Sequence, residues 1–128
     1  MAISFNHTIV AAHDAQACAA FVTELFGLPD PVRLGPFVVV ALEHSASLDY
    51  ADVSVDDPIR PQHYTVLVSE DDFDAIYGKI CARGLHHWAD PRGLHPGEIN
   101  HNDGGRGVYF QDPAGHYLEI LTRPYGAG

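Results

Sequence analysis

The sequence predicts an α+β fold of two βαβββ modules, whose sheets form a curved mixed sheet around a cavity. Two stretches carry the repeat, NHTIVAAHDAQACAAF from Asn6 and QHYTVLVSEDDFDAIY from Gln62, which align at His7 and His63. Each pairs a β-rich run with an apolar stripe at three- and four-residue steps, the mark of strand followed by helix. Each half then closes on short apolar strands bounded by turn residues. A module of this kind cannot bury its sheet face alone. The two are therefore read as one domain over residues 1–128, with module one at about 1–58 and module two at about 62–124.

Module one opens with a β-rich run from Ile3 to Ala12. Asp14 is placed to cap a helix whose stripe is Ala15, Cys18, Ala19, Val22 and Phe26, ended by Gly27 and Pro29. Phe37–Leu42 and Ser47–Val53 read as strands, with His44, Ser45 and Ala46 turning between them. In module two Gln62–Val68 is the opening strand, and Ser69 or Asp71 caps a helix with Phe73, Ile76, Tyr77 and Ile80 inward. Gly84 ends it, and His86–Gly105 reads as a short strand and a long loop. Arg106–Gln111 and Tyr117–Thr122 are the last strands, joined by a turn at Asp112-Pro113-Ala114-Gly115. Proline pre-sets its second position and glycine supplies positive φ.

Composition narrows the function. Seven Lys and Arg stand against 17 Asp and Glu, a formal charge of −10, which repels nucleic acid and anionic membrane surfaces. No apolar run approaches the roughly 20 residues of a membrane span. The N-terminal residues lack a secretory pattern, so a cytoplasmic location is expected. Cys18 and Cys81 lie in the two helical stretches and read as buried, reduced thiols. Nine scattered histidines are many for 128 residues, which directs attention to metal ligation.

Three residues carry that chemistry. His7 and His63 hold the same place in their modules, near the start of a strand, so pseudo-symmetry would bring them together. In the last strand, Leu118 and Ile120 take one face and leave Glu119 on the other. A carboxylate on the concave side is costly unless it is paired or binds a cation. Two imidazoles and one carboxylate on rigid strands would form a facial triad with open coordination positions.

The chain also resembles the vicinal oxygen chelate superfamily, which includes glyoxalase I, fosfomycin- and bleomycin-resistance proteins and extradiol dioxygenases. The resemblance rests on Asn6-His7-Thr8-Ile9-Val10, on His63-Tyr64-Thr65-Val66-Leu67-Val68, and on the segment from Gly107 through Phe110-Gln111-Asp112-Pro113-Ala114-Gly115 to Glu119. It implies that His7, His63 and Glu119 hold a divalent ion such as Fe, Mn, Ni or Zn. It also implies a small-molecule substrate that chelates the ion through adjacent oxygens. A glyoxalase-like lyase or isomerase is the first expectation. An extradiol-type ring-cleaving dioxygenase, or a metal-free binding protein of the bleomycin-resistance kind, is the alternative. A fosfomycin-type thiol transferase is disfavoured, because Ile9 and Ala89 stand where that subtype has Thr and Lys.

Further candidates surround this triad. Asp49 mirrors Glu119 in module one and is a candidate base or fourth ligand, with Glu119 itself the other candidate base; a solvent-facing acid is the competing reading for Asp49. Tyr109, His101, Asn102 and Arg106 are candidate substrate-binding residues. For Tyr109 strand core competes with that role, and for the loop carrying His101 and Asn102 a solvated surface does. Trp88 reads as a core or rim anchor, and His116 as a surface or turn histidine. The resemblance implies a homodimer, and light scattering should give about twice the 13.9 kDa chain mass. A monomer at micromolar concentration contradicts that.

Overall fold

A computed structural model describes residues 1–126, which divide into two compact units, Met1–Ile59 and the residues from Arg60 onward. In the first unit, strand β1 (His7–Ala12) leads to helix α1 (Ala15–Phe26), and β2 (Val32–Leu34), β3 (Phe37–Ala41) and β4 (Ser47–Asp52) follow. The sheet order is β1-β4-β3-β2, with β1 and β4 parallel and the other pairs antiparallel. The second unit repeats the plan with β5 (His63–Leu67), α2 (Glu70–Ala82), β6 (His87–Trp88), β7 (Gly107–Gln111) and β8 (Tyr117–Leu121), ordered β5-β8-β7-β6. Each module thus owns a four-stranded mixed sheet and one helix. Among the described residues no helix is long and apolar enough to cross a membrane.

Local chemistry sets the helix ends. The Asp14 carboxylate accepts the Ala17 N–H at 3.0 Å, and the Ser69 hydroxyl accepts the Asp72 N–H at 3.0 Å. Such caps each contribute about 1 kcal/mol. Gly27 ends α1 in the left-handed region at φ 68°, a conformation that costs glycine nothing sterically. The Ala15 N–H donates to Asp52 at 2.8 Å, which ties the start of α1 to the end of β4.

Alternation along the strands separates two faces. Val10, Ala12, Val38, Val40, Leu48 and Tyr50 are buried, and α1 packs on β3, β4 and β1 with Ala15, Cys18, Ala19 and Val22 inward. The predicted stripe included Phe26, but Leu25 is the fully buried residue at that end and Phe26 is half-buried. In the second unit Phe73, Ile76, Ile80, Val108, Phe110, Leu118 and Ile120 form the core.

Other expectations are corrected. Strand β2 was not predicted; its three residues are exposed, so no apolar pattern announces it. Cys81 is exposed rather than buried, because it follows Ile80 by one helical step and rotates off the inward stripe. Among the described residues neither cysteine forms a disulfide. Replacing Leu25 by Ala should cost about 2–5 kcal/mol in urea unfolding. The exposed Gln16→Ala change should stay within about 0.5 kcal/mol. Equal effects of the two would contradict this core.

Candidate functional site

The sheet register places the chemistry. Parallel pairing of β5 with β8 sets His63 opposite Tyr117 and Thr65 opposite Glu119, while β7 sets Tyr109 on the other side of Glu119. All these residues share the face away from Leu118 and Ile120, as the strand period requires. Glu119 is nonetheless 0 % exposed. Its Oε1 accepts from Thr65 Oγ1 at 2.9 Å and from His63 Nε2 at 3.0 Å, and its Oε2 accepts from the Tyr125 hydroxyl. The Thr65 hydroxyl also lies 3.1 Å from His63 Nε2. Tyr125 gives its one proton to the carboxylate, so at 2.9 Å the Tyr109 O–H must donate to the Tyr125 oxygen. The Tyr109 ring tilts against His63 with 5.5 Å between centroids.

These surroundings hold the phenols neutral. Burial first, then the hydrogen bonds to Glu119 and Tyr109, push the Tyr125 hydroxyl well above the ordinary tyrosine range. Burial is also the leading cause for Tyr109, which is raised as well, although its bond to Tyr125 works the other way.

Module one carries the equivalent positions with different chemistry. His7 pairs with Ser47 and Ile9 with Asp49, so Asp49 occupies the register position of Glu119. The pairing also makes His7 and Asp49 share a sheet face. His7 Nδ1 lies 2.6 Å from Asn6 Oδ1, and the Asn6 amide in turn donates to Ser45 O at 3.3 Å. That orients the Asn6 oxygen toward the ring, so Nδ1 carries the proton and Nε2 keeps its lone pair. Asp49 is half-buried and accepts the Ser47 hydroxyl at 2.7 Å. His44 and Ser45, between β3 and β4, both take left-handed φ of 62° and 63°, uncommon for residues with a Cβ.

The remaining candidates fall elsewhere. Arg106 belongs to the helix-facing side with Val108 and Phe110, and its guanidinium donates to Glu70 and Asp74 at 2.8 Å each while lying 4.4 Å from the Phe73 ring centre. The structure therefore does not gather Arg106 with Glu119; the acidic i, i+4 pair on α2 captures it. Bonds from Thr122 and Arg106 lower the Glu70 carboxyl, and those to Asp74 and Glu70 raise Arg106. His101 and Asn102 are exposed where a single 3₁₀ turn (Asn102–Gly104) leads toward β7, and among the described residues neither hydrogen-bonds to Glu119. His116, which directly follows the predicted turn and reads in sequence as a surface or turn histidine, is buried, its Nδ1 accepting the Gln62 N–H at 3.0 Å. The half-buried Trp88 helps line a recess of about 280 Å³ with Pro91, Arg92, Gln111 and Tyr117, the last two on the Glu119 face of the sheet.

Sequence reasoning missed Thr65 and Tyr125. Thr65 was findable, because a residue two places after His63 shares its face. Tyr125 follows the last strand and has no periodicity to mark it.

Among the described residues no three His, Cys, Asp or Glu side chains gather around one point for a metal ion. The pair His63 and Glu119 fits part of such a site. Its 3.0 Å separation suits a hydrogen bond, and equally two neighbouring ligands at about 2.1 Å from one ion. An imidazole and a buried carboxylate also match the donors that borderline divalent ions take.

Comparison with known proteins adds the family context. A model of the Glyoxalase/Bleomycin resistance protein/Dioxygenase superfamily matches residues 4–120. The solved structure of Oxidase ChaP-H2 is 57% identical, covers 100% of both chains and superposes with a TM-score of 0.94. Oxidase ChaP-H1 is 55% identical over 98% of this chain and 99% of its own, with a TM-score of 0.93. Glutathione transferase FosA of Serratia marcescens is 28% identical across 91% of this chain and 79% of that protein.

The loop before β7 has its own anchor. Asp90 accepts the N–H groups of Arg92, Leu94 and His95 at 3.1, 3.0 and 2.8 Å. Burial opposes its charged form, but the N–H groups of Leu94, His95 and Arg92 outweigh it and hold the carboxyl below its ordinary value. A depressed carboxylate stabilises the loop above that ordinary value and loses the contribution as pH falls through the lowered one. The three amide NMR signals should therefore titrate together with a midpoint below about 3.9. They should not respond in Asp90→Asn; a midpoint above 3.9 contradicts this anchor.

Proposed function

Because the chain belongs to the Glyoxalase/Bleomycin resistance protein/Dioxygenase superfamily, we propose that it is a metal-dependent enzyme oxidising a small molecule with two adjacent oxygens. The observation that carries this reading is the whole-length likeness to the two ChaP-type oxidases, at 55% and 57% identity. It moves oxidation ahead of the lyase or isomerase chemistry that the sequence alone puts first. The ligands in this proposal are His63 and Glu119, with His7 as the third. When bound, a divalent ion such as Fe, Mn, Ni or Zn supplies Lewis acidity toward the substrate oxygens, and Fe or Mn also supplies redox chemistry with dioxygen.

The chain's own groups divide the remaining work. Asn6 keeps the His7 proton on Nδ1, so that Nε2 is available as a donor. His63 must likewise move its proton to Nδ1 and give up its bond to Glu119 Oε1 in order to ligate. Tyr109, whose proton is given to Tyr125, presents its phenol oxygen as an acceptor for a substrate hydroxyl on the Glu119 face. Asp49, oriented by Ser47, is the candidate proton acceptor. The recess beside Trp88 and Tyr117 is assigned to the body of the substrate. His101 and Asn102 stay as candidate contacts from the loop, and Arg106 is assigned to holding α2. A cytoplasmic homodimer completes the proposal.

A lyase or isomerase is the second reading, favoured by the equivalence of Asp49 and Glu119, which offers a base on each sheet. An oxygen electrode separates the two. Fe(II)-loaded protein given a panel of catechols and small diols should consume dioxygen in step with substrate. His63→Ala should abolish that uptake, and Asp49→Asn should slow it by roughly 10²–10⁴-fold. Turnover without oxygen uptake would move the protein to the second reading.

A further inference from the structure

The C-terminal segment beyond β8 returns one side chain to the site. Tyr125 is 54% exposed, yet its hydroxyl reaches the fully buried Glu119 and donates to Oε2. The two carboxylate oxygens are thereby given different work. Oε1 faces His63 Nε2 and Thr65 Oγ1, at 3.0 and 2.9 Å, and is the oxygen a cation shared with His63 would use. Oε2 points the other way, toward the phenol. Tyr109 completes the chain, because its O–H donates to Tyr125 at 2.9 Å and polarises the second phenol.

We infer that Tyr125 is a positioning residue, whose hydroxyl fixes the Glu119 carboxylate so that Oε1 faces His63 as a single-oxygen metal ligand. The inference rests on the metal reading above and adds a residue to it. Two arguments support it. A carboxylate without an Oε2 donor can rotate or bind an ion through both oxygens, and a fixed donor opposes both. Ligating carboxylates are commonly held by a second hydrogen bond, whose loss costs about 10–100-fold in metal affinity.

Zn(II), which has no redox chemistry of its own, is the probe, titrated in competition with a chromogenic chelator. Tyr125→Phe keeps the ring and removes only the hydroxyl. It should weaken Zn(II) binding by about 10–100-fold, with circular dichroism and Tm unchanged. Tyr109→Phe, one bond further away, should weaken binding less. In a Glu119→Gln background, Tyr125→Phe should cause no further loss. Parent-like Zn(II) affinity in Tyr125→Phe overturns the inference, as does a loss that simply adds to that of Glu119→Gln. If the parent takes up no Zn(II), the metal reading falls and this inference with it, whereas a binding parent with an equally tight Tyr125→Phe sinks only the inference. If Tyr125→Phe misfolds, Tyr125→Leu, which is apolar and has no side-chain donor, decides by the same titration.

Discussion

A carboxylate out of contact with water is the constraint around which module two is arranged. Removing such a charge from water costs several kcal/mol unless good hydrogen bonds return it. Glu119 receives them from three residues, two on β5 and one from the segment after β8. Strand register makes the β5 pair possible. A slip of one residue would turn Glu119 toward Phe73 and Ile76 and put Leu118 in its place. The parallel β5–β8 pairing and the antiparallel β7–β8 pairing together exclude that slip.

The two modules share a backbone plan and differ in what they place on it. Position by position, His7 matches His63, Ile9 matches Thr65, Val39 matches Tyr109 and Asp49 matches Glu119. Module one thus keeps the imidazole and an acid but replaces the hydroxyl and the phenol by apolar side chains. Its acid is shorter, half-buried and satisfied by its own strand neighbour Ser47. Module two encloses its acid in donors. A duplicated scaffold therefore presents one accessible imidazole with a single nearby acid and one closed hydrogen-bond network, an asymmetry that suits a single reaction centre better than two.

Much of this was legible in the sequence. The repeat, both helix caps, the Asp112–Gly115 turn and the face occupied by Glu119 follow from periodicity and turn chemistry, which act within a few residues. What was not legible depends on partners far along the chain. Arg106 read as a candidate substrate-binding residue, whereas the phase it shares with Val108 and Phe110 assigns it to the helix side. Strand β2 has no buried face to create a pattern. Tyr125 acts only through the return of the chain past β8, a tertiary event that leaves no local signature. His116 reads as a surface or turn histidine, but it is buried and bonded to Gln62, 54 residues away, a partner no local pattern announces.

The reaction proposed for the His63–Glu119 pair rests on that pair holding a metal ion. Anomalous diffraction from crystals grown with Mn(II) examines the pair itself. The account predicts a single strong peak per chain, about 2.0–2.3 Å from both Glu119 Oε1 and His63 Nε2. A peak on other residues, or no peak at saturating Mn(II), would contradict it.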